Sequence, residues 1–186
     1  MIKGLVEKPK NRNQLEVRPM IQFLKEQNKI DLVGVEIGVH YGINAFAILN
    51  TLSIKKLYLV DPYMTYPEYL DIKNPFGYNA ERHADNLLFP FTDKIIKIKK
   101  FSSEAVEEIP DNIDFVYIDG NHAYEYCYKD IMLYYPKIKK GGVIGGHDYY
   151  QMSPVREVKR AVDDYIKKTG SILYTEGIDW WIVKGE

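Results

Sequence analysis

The stretch IDFVYIDGNHAYEYCYKDIMLYYPKIKKGGVIGGHDYY, Ile113 to Tyr150, decides the fold. Its opening run, Ile113 to Asp119, is apolar enough to be a strand covered on both faces. Tyr124 to Tyr135 is amphipathic at helical spacing, and GGVIGGH (Gly141 to His147) reads as a Gly-rich strand. Strand, helix, strand in this order is a βαβ unit, whose crossover sets the two strands parallel and the helix on one face. Both strands end in polar groups: Asp119 after the first, His147 and Asp148 after the second. Ligands of open parallel sheets sit beyond the carboxyl ends of the strands, so these groups are the first candidates for chemistry.

The same alternation runs outward in both directions. Upstream come a helix over Leu15 to Gln27, a strand LVGVEIG (Leu32 to Gly38), a helix Ile43 to Leu52 and a strand KLYLVD (Lys56 to Asp61). A Pro- and aromatic-rich stretch precedes a helix over Ala80 to Leu88, then a strand Lys94 to Phe101 and a short helix Ser103 to Ile109. Downstream lie a helix Pro154 to Lys168 and two strands, Ser171 to Glu176 and Asp179 to Gly185, close enough to form a hairpin. The expected fold is α/β: a Rossmann-like, doubly wound, mostly parallel seven-stranded sheet with helices on both faces and a C-terminal antiparallel β-hairpin. That hairpin should make one edge strand antiparallel. Residues 1–186 read as one domain, with 1–30 an N-terminal helical segment and 62–79 an insert that covers substrate.

In VGVEIGVHYG (Val33 to Gly42), Gly38 makes the tight turn after the first strand and Gly42 lets the next helix start close beneath a ligand. The spacing is not G-x-G-x-x-G, because Val39 and His40 leave little room for a pyrophosphate. Glu36, two positions before Gly38, suits a cationic ligand. Asp61 ends the second strand, where a carboxylate can accept from two ribose hydroxyls; the plainer alternative is a turn-starting Asp before Pro62. Ser102 and Ser103, after the third strand, suit either a helix cap or an adenine contact.

Composition limits the alternatives. Twenty-five basic residues against 26 acidic ones give a net charge of −1, so no bulk electrostatic attraction to nucleic acid or an anionic membrane is expected. Lys97, Lys99 and Lys100 read as the solvated face of a strand. The single cysteine, Cys127, excludes an internal disulfide and fits a reducing, cytoplasmic location. No run approaches the length of a membrane span.

The motif E-x-G-x-x-x-G at Glu36, Gly38 and Gly42 resembles motif I of class I S-adenosylmethionine-dependent methyltransferases. D-G-x-H-x-Y at Asp119, Gly120, His122 and Tyr124, followed by G-G-x-x-x-x-H-D-Y at Gly141, Gly142, His147, Asp148 and Tyr149, closely resembles the small O-methyltransferases related to the macrocin-type enzymes. A more distant likeness is to the catechol type. The likeness spans about Val33 to Tyr150. It implies S-adenosyl-L-methionine held by Glu36, Gly38, Gly42, Asp61, Ser102, Ser103 and Asp119, and a small-molecule hydroxyl acceptor such as a sugar or natural product. It also implies a divalent cation on Asp119, His147 and Asp148. His147 stands where cation-dependent members more often carry an acid, which leaves three options: Mg2+ on two carboxylates, Mn2+ or Zn2+ with imidazole, or no metal. Without metal, His122 or His147 is the general base, beside Asp119 as the third catalytic candidate. The plainer reading of His122 is a loop histidine bonded to Asp148. Relatives that complete their pocket by oligomerising imply a homodimer.

Two other functions compete. A non-catalytic adenosyl-binding module would have no use for four polar groups at strand ends. An NAD-dependent oxidoreductase would want the missing glycine. Asn74-Pro75-Phe76 lacks the second proline of a DNA amino-methyltransferase motif and follows the wrong strand.

Overall fold

The computed structural model describes residues 17–64, 77–150 and 157–185. Most of the expected insert at 62–79, the first half of the N-terminal segment and the start of the loop after Tyr150 lie outside them. The elements, in order, are α1 (Pro19–Glu26), β1 (Leu32–Ile37), α2 (Ile43–Thr51), β2 (Ile54–Val60), α3 (Gly77–Leu88), β3 (Ile95–Ile98), α4 (Ser102–Ala105), β4 (Ile113–Ile118), α5 (Tyr124–Tyr134), β5 (Ile138–Gly146), α6 (Val158–Thr169), β6 (Tyr174–Glu176) and β7 (Asp179–Val183). Pro19 stands in the first turn of α1, where its missing N–H costs no helical bond.

The seven strands form one sheet in the order β3-β2-β1-β4-β5-β7-β6. All pairings from β3 through β5 are parallel, and β7 runs antiparallel to both β5 and β6. The hairpin forms, but the reversed strand is β7, inside the sheet, and not the edge strand. β6 is the edge and points with the others. The reason is burial: DWWIV offers apolar groups on both faces, whereas Thr175 and Glu176 of β6 are exposed.

Period-two alternation sorts each strand between two cores. From β4, Val116 and Ile118 join Ile144, Trp180, α5 and α6 on one face. Phe115 and Tyr117 join Leu57, Trp181, α1 and α2 on the other. All six residues of β4 are buried, as a central strand requires. Trp180 and Trp181 are both buried, one in each core, so neither is the surface residue that alternation alone would allow. At Gly34 a Cβ would fall 2.1 Å from the Phe115 ring, so the absence of a side chain there lets β1 and β4 pack.

Register then aligns the strand ends. Ile37 pairs with Val60 and with Ile118, Val60 with Ile98, and Ile118 with Gly146. The next residue of each strand continues the ladder: the N–H groups of Gly38, Asp61, Asp119 and His147 donate to Val60, Ile98, Ile37 and Ile118 respectively. Four candidate site residues, as much as 109 positions apart in the chain, thus form one row along the carboxyl edge.

Candidate active site

A cleft of about 990 Å3 opens over this row, large enough for an adenosyl cofactor and a small second substrate. Glu36, Gly38, Asp61 and Ser102 line it beside Asp119, His122 and His147.

Gly38 has φ +86°, and a Cβ there would sit 2.1 Å from the carbonyl oxygen of Asp119. The glycine is required by that protein contact and leaves the cleft floor bare at the same time. Gly42 also has a left-handed φ, +77°, but it faces Ala84 and Leu88 of α3 and does not line the cleft. Its role is packing α2 on α3.

Glu36 is fully buried. Its Oε1 accepts from Asn44 Nδ2 at 2.9 Å, while Oε2 has no partner. Burial pushes its carboxyl up to about 8, against the Asn44 bond that favours the anion; nearby Asp119 and Asp61 push the same way as burial. An unpaired buried carboxylate oxygen is costly, and a cationic donor entering the cleft would satisfy it.

Asp61 Oδ2 accepts from the N–H groups of Val39 and His40 at 2.9 and 2.8 Å, and Oδ1 accepts from Tyr63 N at 2.7 Å. It therefore holds the turn after β1, where His40 has φ +49°, and begins its own turn as well. Ser102 Oγ donates to Asp130 Oδ1 at 2.5 Å, and both line the cleft. Burial pushes Asp130 up to about 7. Ser103 does not reach the cleft.

The charged end is organised by residues that sequence reasoning missed. Arg18, at the foot of α1, donates to Asp119 Oδ2 at 2.6 Å and to Tyr117 Oη at 3.1 Å. His122 Nε2 lies 2.8 Å from Asp148 Oδ2 and 3.6 Å from Asp119 Oδ1. Burial opposes charge on His122, but the two carboxylates outweigh it and raise the imidazole to about 9. Asp148 is held down to about 2, because the His122 bond overcomes its own burial. Asp148 stands behind His122 and does not line the cleft, so the plainer reading of His122, a loop histidine bonded to Asp148, matches this geometry.

His147 takes a different partner. Its Nδ1 lies 2.6 Å from Oδ1 of Asp179, a fully buried carboxylate that also accepts from Tyr117 Oη at 3.0 Å and from Met20 N at 3.1 Å on Oδ2. The group of side chains able to hold a cation, among the described residues, is consequently Asp119, His122 and Asp148, with ligand atoms within 4.8 Å of one another. His122 replaces His147 in the expected set because Asp179, which nothing in the local sequence singled out, turns His147 away.

Residues 35–149, well over half of the chain, match the family described as Methyltransferase domain. An uncharacterised protein of Acanthamoeba polyphaga mimivirus is 33% identical over 134 residues, 68% of this chain; the chain spans 56% of that relative's length. Among solved structures, a protein from Clostridium thermocellum put forward as an rRNA-methylase superposes with a TM-score of 0.69 at 15% identity, covering 89% of this chain and 93% of that one. An O-methyltransferase from Bacillus cereus, in complex with S-adenosylhomocysteine, gives 0.62 at 15% over 91% and 83%. A TDP-rhamnose 3'-O-methyltransferase of calicheamicin biosynthesis gives 0.63 at 12% over 90% and 78%. At these identities the structural likeness is one of fold. The matched span contains the whole row of strand-end residues: the chain belongs to the methyltransferase-domain family and has the class I S-adenosylmethionine-dependent methyltransferase fold.

Proposed function

We propose that the protein transfers a methyl group from S-adenosylmethionine to a hydroxyl of a small molecule, a sugar or natural-product scaffold. The observation that carries the reading is the single cleft in which Glu36, with its unpaired Oε2, and the His122–His147 end lie together. Glu36 accepts from the cofactor's ammonium, the bare Gly38 floor lets the ligand approach the backbone, and Asp61 and Ser102 line the cleft along the path of the adenosyl group. When bound, S-adenosylmethionine supplies an electrophilic methyl group that leaves a neutral thioether behind. The protein's part is to hold the acceptor oxygen in line and to take its proton.

A small acceptor is favoured over RNA by charge pairing. The lysines of β3 and its following turn are neutralised: Lys97 and Lys99 by Glu81, Lys97 also by Asp85, and Lys100 by Glu108. No helix among the described residues is long and apolar enough to cross a membrane.

The site's carboxylates are already compensated, Asp119 by Arg18 and Asp148 by protonated His122. We therefore read the transfer as working with these side-chain cations. The second reading is cation assistance through Asp119, His122 and Asp148. A cation there must displace the His122 proton, so Zn2+ affinity would rise about tenfold per pH unit below about pH 9, with one proton released.

Calorimetry with S-adenosylhomocysteine tests the cofactor. Micromolar binding, weakened roughly 10- to 100-fold in Glu36→Gln, is expected. No binding to the wild type would sink the proposal. Methyl transfer is then assayed on TDP-rhamnose, catechol and an rRNA fragment, with and without Zn2+ and Mn2+. Turnover of the RNA alone would overturn the acceptor class.

A further inference from the structure

We propose that Asp179 is a positioning residue that fixes His147 as its Nδ1–H tautomer, making His147 Nε2 the atom that receives the acceptor's hydroxyl proton. The inference rests on the methyltransferase reading and divides the work of the two histidines.

The argument is one of donors and acceptors around a closed carboxylate. Asp179 is completely buried, and its two oxygens meet three groups: Met20 N at Oδ2, Tyr117 Oη and His147 Nδ1 at Oδ1. An ionised carboxylate only accepts, so each of the three must donate. Met20 N–H has no choice. Tyr117 Oη can donate here while accepting from Arg18 Nη1. For His147 the contact requires a proton on Nδ1, so in the neutral ring the lone pair is on Nε2. Nε2 has no partner among the described residues, and His147 lines the cleft. The free lone pair is therefore the one available to a bound hydroxyl.

His122 is placed differently. Its Nε2 is turned to Asp148 and Asp119 together, 2.8 and 3.6 Å away. That nitrogen faces two carboxylates, whereas Nε2 of His147 faces none among the described residues. In the proposed step the acceptor's O–H proton passes to His147 Nε2 and the oxygen pair forms the new O–CH3 bond. The S–C bond breaks with its pair staying on sulfur, and the resulting His147 imidazolium is stabilised by Asp179. Charge balances: a sulfonium and a neutral imidazole become a thioether and an imidazolium.

Asp179→Asn is the discriminating change. One of its two oxygens becomes an NH2. Opposite Met20 N–H, an NH2 would face a donor that cannot reverse. On the other side it would face Tyr117 Oη and His147, both of which can. The amide settles there, and His147 moves its proton to Nε2.

The test is 15N–1H spectroscopy of the imidazole side chains in the free protein across a pH series, with His147 identified by its loss in His147→Gln. The expected result is an Nδ1–H tautomer for neutral His147 in the wild type and in Tyr117→Phe, and an Nε2–H tautomer in Asp179→Asn. An Nε2–H tautomer in the wild type, or no change in Asp179→Asn, overturns the proposal. S-adenosylhomocysteine binding is measured on the same samples and should be kept within a few-fold in Asp179→Asn. Failure of the wild type to bind it would count against the methyltransferase reading, while the tautomer result tests Asp179 by itself. On TDP-rhamnose or catechol, whichever is turned over, Asp179→Asn should lower kcat by roughly 10^2- to 10^4-fold with acceptor KM changed little. A KM effect alone would overturn the role assigned to His147.

Discussion

Replacing Asp148 by Asn should change how stability depends on pH in a direction set by His122. In the folded protein the imidazole is raised to about 9, against an ordinary value of 6.5, because Asp148 and Asp119 outweigh its burial. A folded value above the unfolded one contributes stability that is complete below about pH 6.5 and disappears as pH rises through about 9. Two and a half units at about 1.4 kcal/mol each set a ceiling of roughly 3.5 kcal/mol for that contribution. The lowered Asp148 value, about 2, is the same interaction seen from its partner and is not added. Asp148→Asn keeps the shape and the left-handed backbone that Asn tolerates, φ +61°, and removes the closer of the two carboxylates, leaving Asp119 at 3.6 Å. The expected loss is roughly 1–3 kcal/mol at pH 7, shrinking toward zero at pH 10. Urea unfolding followed at intervals from pH 6 to 10 measures it as a difference between the two proteins. Glu36 and Asp130, which also titrate in the folded state, largely cancel in that difference. A gap that stays constant across this range would refute the claim that His122 is charged by Asp148.

Other expectations follow from single contacts. Glu36→Gln should flatten part of the wild type's own pH dependence. Its folded value of about 8 exceeds the ordinary 4.5, so the wild type loses stability as pH rises through about 8 and the variant, in urea unfolding, does not. Gly38→Ala should fail to fold or lose several kcal/mol in thermal melts, since the methyl would meet the Asp119 carbonyl at 2.1 Å with φ at +86°. Cys127 is buried and its thiol is pushed well above the usual range by burial, so a thiol reagent should label it only at the rate at which the protein opens. Labelling of the native protein within seconds would place Cys127 at the surface.

Much of the fold was legible because each buried strand carries its own signal. IDFVYI is apolar on both faces, and Gly38, Asp61, Asp119 and His147 mark where strands stop. The parallel rule then places those stops on one edge without reference to any particular contact. What could not be read is what depends on neighbours distant in sequence. Nothing local in DWWIV says that its strand enters between β5 and β6, because that follows from both tryptophans finding cores on opposite faces. Ser102 and Ser103 look alike in sequence, yet only Ser102 reaches the cleft, where Asp130 of α5, 28 positions away, accepts its hydrogen bond.

The charged end of the cleft makes the same point more sharply. The family resemblance implied His147 and Asp148 together as ligands of one cation. Adjacent residues leaving a strand in fact point apart, and Asp148 with its left-handed φ diverges further. Each side chain then pairs with what lies on its own side. For Asp148 that is His122, from the loop after β4; for His147 it is Asp179, at the start of β7. Asp179 in turn accepts from Met20 N, and Arg18 reaches Asp119, so α1 is fastened to the carboxyl edge of the sheet at two points. A helix docked only for its apolar face, Met20, Ile21 and Leu24, would need no arginine at its foot and no buried aspartate at its first turn. Those polar contacts bind the two histidines, Tyr117 and α1 into one connected network.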